Sequence, residues 1–356
     1  MRTLQSKLIQ FGQELIENRG RGFLFLYPLS FLWGSVVFCK NWLYSKNIFS
    51  PRKMSQTVIS VGNLVAGGTG KTPLTLFLAQ HFSHQRVAIL SRGYGAQGLL
   101  ADEPALLAQR CPSAQIYLGK DRRLSAQQAI DQKANILILD DGFQHRKIFR
   151  DFDLLLLSTK DPFGRGSGVF DFSIPPCYQD HPYLPRGYLR DSPQRLKEAS
   201  AIFLNPIESE EQLESWNFYL GVSIPLIGVR LETLKVVGGA LSGLCVGLFC
   251  GIAHPKNFKN TVIDLGAIVV GELVLADHEG PSPQNLTLFA NHAKSLGAKA
   301  LVCTEKDFVK LSLPVDFPIP IIYLEMELKI TAGYLHWQNL VDKIEEKINN
   351  CKYYER

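Results

Sequence analysis

The sequence lacks the patterns that identify several common classes of protein. Its seven cysteines include no C-x-x-C pair and are odd in number, which favours free thiols in a reducing compartment over a disulfide framework. The eight histidines show no spacing typical of a metal site. No pattern typical of DNA or RNA binding occurs, and no repeat of solenoid period. We therefore predict no nucleic-acid partner and no histidine-based metal cluster.

Charge is sparse as well. Charged residues make up 20% of the 356 residues and hydrophobic residues 46%, a balance typical of a folded globular protein with room for two domains. The net charge is only +5. A weakly basic balance of this kind suits an anionic substrate or an anionic membrane surface.

The strongest positive signal is a glycine-rich stretch between a predicted strand and a predicted helix. β-branched residues at 58–61 predict a buried strand, and apolar residues at helical spacing follow Pro73. The predicted nucleotide-binding loop between them comprises Val65, Ala66, Gly67, Gly68, Thr69, Gly70, Lys71 and Thr72. Backbone N–H groups of such a loop cradle phosphates, the lysine reaches the β- and γ-phosphates, and the threonine hydroxyl ligates Mg²⁺. An ordinary glycine turn is the alternative, because Val65 stands where the usual pattern has its first glycine.

Two aspartates follow another apolar run, NILILDD, at residues 135–141. A strand that ends in aspartate beside a phosphate loop is the usual source of the carboxylate that organises Mg²⁺. Asp140 is the better candidate by position, with Asp141 holding the waters of the metal. The alternative for either residue is a turn or a helix cap.

Strands that alternate with helices along the chain predict an α/β fold with mostly parallel sheets. We predict two P-loop or Rossmann-like α/β domains, at residues 51–235 and 240–350, preceded by an N-terminal membrane-associated helical segment at residues 1–50. Within that segment residues 22–39 carry no charge, and basic and aromatic residues flank them. This pattern favours helices that dip into one leaflet of a membrane. A buried helical hairpin is the alternative.

Three further groups have residue types suited to catalysis. Asp102 and Glu103 open a predicted helix and are candidates for a general base or a capping pair. Asp277 and His278 follow a predicted strand and are suited to a proton relay, although most such dipeptides lie unused at a surface. Arg186 and Arg190, in a loop rich in glycine and proline, are suited to clamping a phosphate, or are merely solvated.

Several motifs together carry a resemblance to a known family. In chain order they are VGNLVAGGTGKTP, LSRGYG, DEPALLA, DDGFQHRKIFRDFDLLLL, LPRGYLRD, GIAHPKNF, ADH and TEKDFVKL. Over residues 20–325 the chain resembles the tetraacyldisaccharide 4′-kinases of lipid A biosynthesis. The resemblance implies transfer of the γ-phosphate of ATP to the 4′-hydroxyl of an anionic glycolipid, a tetraacyldisaccharide 1-phosphate, giving the 1,4′-bisphosphate. It also implies ATP and Mg²⁺ as cofactors and a place on the cytoplasmic face of the inner membrane.

Site residues follow from the resemblance by motif. ATP is expected at Val65–Thr72 with Lys71 as a catalytic group, and Mg²⁺ near Thr72, Asp140, Asp141 and Asp191. Asp102 is implied as the base, with support from Asp277 and His278. The implied substrate-binding residues are Glu103, Arg122, Gln144, His145, Arg186 and Arg190.

The chain departs from the family pattern at two positions of LPRGYLRD. The family has alanine where this chain has Arg186 and glutamate where it has Asp191. Aspartate is one methylene shorter than glutamate and reaches less far.

Two other functions use the same loop. One is a P-loop ATPase or ligase with a soluble substrate, and the other is a regulatory nucleotide-binding protein at the membrane. A GTPase switch is disfavoured because its [NT]KxD element is missing.

Overall fold

A computed structural model describes residues 26–67, 70–93, 102–165, 182–252, 255–275, 280–311 and 316–353. Its strands are β1 (Thr57–Gly62), β2 (Val87–Ser91), β3 (Gln115–Leu118), β4 (Ile136–Leu139), β5 (Phe152–Ser158), β6 (Ala201–Asn205), β7 (Leu226–Val237), β8 (Cys245–Cys250), β9 (Ile268–Val274), β10 (Ala300–Thr304) and β11 (Ile321–Ala332). Its helices are α1 (Leu26–Ser45), α2 (Lys71–His81), α3 (Asp102–Arg110), α4 (Arg122–Asp131), α5 (Glu210–Leu220), α6 (Pro255–Asp264), α7 (Pro283–Ser295), α8 (Glu305–Phe308) and α9 (Tyr334–Tyr353), with a 3₁₀ helix at Pro193–Glu198.

The chain divides into two compact units. The first comprises Met1–Gly93, Cys111–Leu231 and Leu328–Arg356, and the second comprises Tyr94–Arg110 and Glu232–Glu327. This division differs from the predicted domain boundaries at two places. Helix α3 belongs to the second unit although its sequence lies within the predicted first domain, and the C-terminal helix α9 belongs to the first unit.

Strands of the first unit follow the order β3-β2-β4-β1-β5-β6-β7. Strand β1 pairs in parallel with β4 on one side and β5 on the other. Every residue of β1 and β4 is buried, which is typical of parallel strands covered on both faces. The predicted mostly parallel α/β sheet is therefore confirmed.

The second unit has the strand order β11-β10-β8-β9, in which β10 pairs in parallel with both β11 and β8. Its two apolar clusters lie on opposite faces of this sheet. Successive residues of a strand point to opposite faces, so Phe249 packs in one cluster and its neighbours Leu248 and Cys250 pack in the other.

Helix α1 lies at the surface of the first unit. Ser30 and Val37 are buried on one side, whereas Phe31, Leu32 and Phe38 are exposed on the other. The described part of the apolar N-terminal segment is therefore not a buried core helix. Among the described helices, none is both long and apolar enough to cross a bilayer.

Candidate functional site

The loops after β1 and β4 meet because these parallel strands lie side by side in register. Ser60 of β1 is opposite Leu139 of β4, and the Gly142 N–H donates to the Val61 carbonyl at 2.8 Å. Position 142 requires glycine, because a Cβ there would lie 2.5 Å from Leu139 Cβ and 2.8 Å from the Ser60 hydroxyl oxygen. Ligands of open α/β sheets bind at this carboxyl edge.

Helix α2 begins at Lys71, directly after the glycine loop. Gly67 and Gly70 have φ of 106° and 90°, conformations that favour glycine. Gly70 is the N-cap of α2 and, as a glycine, has no side chain with which to cap the helix. The N–H groups and the partial positive charge at this end of the helix are suited to an anion. The predicted loop residues Gly68 and Thr69 lie outside the described residues.

A second segment, which we call the strap (residues 182–191), runs along the glycine loop. The Ala66 N–H donates to the Tyr188 carbonyl at 2.7 Å, and the Arg190 N–H donates to the Leu64 carbonyl at 2.8 Å. Val65 and Leu189 form an antiparallel bridge between these two bonds. The backbone of the strap therefore carries the Arg190 side chain to the phosphate loop.

Three cationic side chains converge on Asp141. The Arg190 guanidinium donates to both carboxylate oxygens, at 2.8 and 3.0 Å, and Lys71 Nζ lies 3.8 Å from one of them. The Arg122 guanidinium donates to the Asp141 carbonyl at 3.0 Å. Asp141 has φ of 50°, a left-handed conformation that aspartate tolerates better than most residues.

The combined effect of these cations on the pKa of Asp141 is larger than the effect of burial. Burial alone raises the pKa of Asp141, but the hydrogen bond from Arg190 and the charges of Lys71, Arg190 and Arg122 hold it well below the ordinary value. Asp141 is therefore ionised at neutral pH. Its two oxygens already face Arg190 and Lys71, so waters of a metal would share the carboxylate with these partners.

Asp140, at the end of β4, has different surroundings. Its side chain is buried, and it accepts hydrogen bonds from the hydroxyls of Thr75 at 3.0 Å and Ser91 at 3.4 Å. Thr75 lies one helical turn after Lys71 in α2. The carboxylate is thus held beside the first turn of that helix, where the Thr72 side chain also originates.

Two predicted substrate-binding residues line the turn after Asp141. Gln144 donates from Nε2 to the Asn63 carbonyl at 2.7 Å, and its Oε1 is buried with no hydrogen-bond partner among the described residues. His145 Nε2 is likewise buried, with no described partner. Both are places where an incoming polar ligand would find an unsatisfied atom.

Two predicted residues of the strap have contacts away from Asp141. Arg186 is buried and stacks over the Tyr27 ring, with 4.2 Å from its guanidinium carbon to the ring centroid. Asp191 is also buried, and its oxygens accept from Arg195, Asn41 and the Ser192 N–H. The structure therefore gives no support to the expectation that Asp191 ligates a metal.

Glu103, on α3, lies in the second unit. Glu103 pairs with Lys306 at 3.6 Å, which places its carboxylate beside α8. Asp102 begins α3, and Asp277 and His278 lie outside the described residues. The expectation that Asp102 shares a domain with the phosphate loop is wrong, because α3 packs with the second unit.

Sequence reasoning missed Asn63. This residue is fully buried, its side-chain oxygen accepts from Arg190, and its carbonyl accepts from Gln144. It therefore joins the glycine loop, the strap and the turn after β4. In the sequence Asn63 is only a polar residue between Gly62 and Leu64, and nothing there shows that it is buried or that it pairs with Arg190.

A glycine loop before a helix that begins with lysine, beside a buried acid at the end of the neighbouring parallel strand, defines a P-loop phosphate-binding protein. The family model described as LpxK, tetraacyldisaccharide-1-P 4′-kinase, matches residues 23–347, and the chain belongs to this family.

Relatives support the same assignment. The chain is 32% identical to the tetraacyldisaccharide 4′-kinase of Chlamydia abortus, covering 90% of this chain and 92% of the relative. It is also 32% identical to that of Chlamydia trachomatis, covering 89% and 90%. A solved structure of the "apo" form of LpxK from Aquifex aeolicus in complex with ATP is similar, with a TM-score of 0.67 and 25% identity over 90% of this chain and 98% of that one.

His145 yields a prediction about stability and pH. Burial, followed by the charges of Arg122 and Lys147, lowers the pKa of His145 to about 4. The unfolded chain, with a histidine pKa of about 6.5, then binds more protons than the folded chain between those two values. The free energy of unfolding therefore falls as the pH falls through this window, by about 1 kcal/mol after allowance for solvent screening.

The measurement is the melting temperature of the protein and of His145→Gln at pH 7 and pH 5. We expect the unsubstituted protein to lose about 1–2 °C more than the variant on acidification. Equal losses in the two proteins would contradict the assignment of a neutral, buried His145.

Proposed function

We propose that this chain transfers the γ-phosphate of ATP to the 4′-hydroxyl of a tetraacyldisaccharide 1-phosphate, giving the 1,4′-bisphosphate. One observation carries the proposal. Lys71, Arg190 and Arg122 converge beside the glycine loop, in a chain whose family match runs from residue 23 to residue 347. A phosphoryl group in transfer carries its charge on peripheral oxygens, so converging cations are what the reaction needs.

ATP is the proposed phosphoryl donor. The Aquifex aeolicus relative is described as a complex with ATP. In this chain the glycine loop and the first turn of α2, whose N-cap is Gly70, offer backbone N–H groups to the phosphates, and Lys71 extends from that turn. Lys71 and Arg190 already face an anion, the Asp141 carboxylate. We infer that phosphate oxygens compete with that carboxylate for both cations.

Magnesium fits the donor set beside the loop. Among the described residues no three histidine, cysteine or acidic side chains could hold a metal by themselves. Mg²⁺ does not require such a cage, because it is usually bound by one or two carboxylates together with substrate phosphates and waters. Asp140 and Thr72 are the residues that would hold it. When bound, Mg²⁺ would neutralise charge on the β- and γ-phosphates.

The acceptor hydroxyl is a weak nucleophile, and a carboxylate within hydrogen-bond reach would position it and accept its proton. Asp102 is our candidate for this base, with support from Asp277 and His278. Helix α3, which begins at Asp102, belongs to the second unit. Arg122, Gln144 and His145 are proposed to contact the anionic glycolipid, because two of them present buried polar atoms with no described partner.

We also propose that α1 rests on the cytoplasmic face of the inner membrane. Every exposed side chain of α1 between Tyr27 and Trp42 is apolar or aromatic, and exposed Lys46 and Lys53 follow the helix. Apolar side chains gain about 1.5–3 kcal/mol each on full burial, and basic residues attract anionic lipid headgroups. A glycolipid with four acyl chains would be met at such a surface.

The first prediction of the proposal concerns Lys71. Purified protein should convert tetraacyldisaccharide 1-phosphate and ATP to the 4′-phosphorylated product, detected by mass spectrometry. Lys71→Ala should lower turnover by at least ~10²-fold, because it removes a charge that balances the γ-phosphate. The control is Lys299→Ala, which removes an exposed lysine of the second unit. Absence of product with the unsubstituted protein, or near-normal turnover of folded Lys71→Ala, would contradict the proposal.

A second prediction concerns the base. Asp102→Asn retains an oxygen that can cap α3 but cannot accept a proton, whereas Asp102→Ala can do neither. If Asp102 is the base, both variants should lose turnover by ~10²-fold or more. If it only caps α3, Asn should retain turnover while Ala loses about 1 kcal/mol of stability. Turnover and melting temperature, measured together on both variants, decide between these roles.

A third prediction concerns the exposed face of α1. Phe31→Asp should weaken sedimentation with vesicles that contain phosphatidylglycerol by about 10-fold or more, because one exposed aromatic side chain is replaced by a charge. Phe218→Asp is the matched control, since Phe218 is an even more exposed phenylalanine, on α5. An equal effect of the two substitutions, or no binding by the unsubstituted protein, would rule out this membrane surface.

A further inference from the structure

Helix α1 has a polar inner side, and this side contacts the loops of the phosphate site. Lys40 Nζ donates to the Gln144 carbonyl at 2.9 Å, and the Ser30 hydroxyl donates to the Tyr183 carbonyl at 2.7 Å. Asn41 donates to Asp191 at 3.0 Å and accepts from Arg146 at 3.2 Å. These contacts reach both the strap and the turn after β4. The helix that we propose rests on the membrane is therefore attached to the segments that carry Arg190 and Gln144.

Asp191 is the most buried polar member of this attachment. Only 3% of the residue is exposed. Its Oδ1 accepts from Asn41 Nδ2 and, at 2.9 Å, from the Ser192 N–H, and its Oδ2 accepts from Arg195. Arg195 is equally buried and lies over the Phe143 ring, with 3.9 Å from its guanidinium carbon to the ring centroid. Both carboxylate oxygens are thus bound by protein donors.

The hydrogen bonds among Asn41, Asp191 and Arg195 lie next to the phosphate site in the chain. Asp191 directly follows Arg190, whose guanidinium holds Asp141, and Phe143 lies two residues after Asp141. The bonds among Asn41, Asp191 and Arg195 therefore fix the strap one residue from the side chain that faces the phosphates. Positioning of charged groups is most of what a phosphoryl-transfer site contributes.

We propose that Asp191, held by Asn41, is a positioning residue that latches α1 to the strap and orients Arg190, and that it is not a magnesium ligand in this chain. A carboxylate that already accepts three hydrogen bonds in a buried site gives up strong interactions if it moves to a metal. Aspartate, one methylene shorter than glutamate, also reaches less far from the strap. Asp140 and Thr72 remain the residues that would hold Mg²⁺.

The test compares Asp191→Asn, Asn41→Leu and the double variant in the full chain. Asp191→Asn removes the charge with little change of shape. Asn41→Leu removes the bonds of Asn41 with Asp191 and Arg146 and leaves those of Ser30 and Lys40 in place. Ser35→Ala is the control, because the Ser35 hydroxyl donates to the Phe31 carbonyl of its own helix and has no bond to another element in the part of the chain that the structure describes. The kinetic part of the test rests on the proposed kinase activity, so ATP binding by calorimetry, with and without Mg²⁺, supplies a readout independent of turnover.

We expect each single variant to lower kcat/KM about 10-fold. The double variant should be little worse than the more affected single variant, because both substitutions break the same contact between α1 and the strap. The Mg²⁺ concentration for half-maximal turnover, and the gain in ATP affinity that Mg²⁺ confers, should stay within about 2-fold of the unsubstituted protein in all three.

Two results would overturn the proposal. One is loss of the Mg²⁺-dependent gain in ATP affinity, by 10-fold or more, in Asp191→Asn but not in Asn41→Leu, which would identify a metal ligand. The other is unchanged kcat/KM in Asn41→Leu, which also decides the matter if Asp191→Asn fails to fold. If the unsubstituted protein binds ATP but forms no phosphorylated glycolipid, the proposed function fails, whereas calorimetry still decides whether Asp191 ligates Mg²⁺.

Discussion

The ion pair between Asp141 and Arg190 is the interaction on which the phosphate site depends. It joins the turn after β4 to the strap, and Lys71 extends from the glycine loop to the same carboxylate. Without an anion at this point the cations would repel one another in a partly desolvated place. Asp141 thus serves the folded chain as an internal counter-ion. The left-handed backbone conformation of Asp141 directs its carboxylate toward Lys71 and Arg190.

The same interaction shapes how a nucleotide can enter. Phosphate oxygens that approach the glycine loop meet Lys71 and Arg190 already oriented by a carboxylate. Binding therefore costs little further conformational entropy of these two side chains. They must nevertheless displace that carboxylate or share the cations with it. Exchange of one anion for another costs less than desolvation of two free cations, because an anion faces both cations before and after the exchange.

The fold was predictable from the sequence to a greater extent than the site. Short β-branched and apolar runs such as VISV and NILIL predict buried parallel strands. The glycine loop followed by lysine predicts phosphate binding. Asn63 and Asn41 were not predictable as site residues. Their partners, Arg190 and Asp191, lie 127 and 150 residues away in the chain. No local pattern reports such a pairing, and an asparagine has no signature until its partner is known. The place of α3 in the second unit was missed for the same reason, since it depends on contacts such as Arg110 with Glu305.

Helix α1 illustrates why an apolar run can mislead. Its composition predicts a membrane or a core, because hydropathy averages over the whole circumference of a helix. In the structure the two sides of α1 differ. Phe31 and Phe38 lie on the exposed side, whereas Ser30, Lys40 and Asn41 lie on the inner side. These three residues bond to the strap and to the turn after β4. A purely anchoring helix would need no polar bonds to its own domain. Since the polar side chains of α1 bond to the segments that hold Arg190 and Gln144, we expect movement of the helix to displace those segments as well.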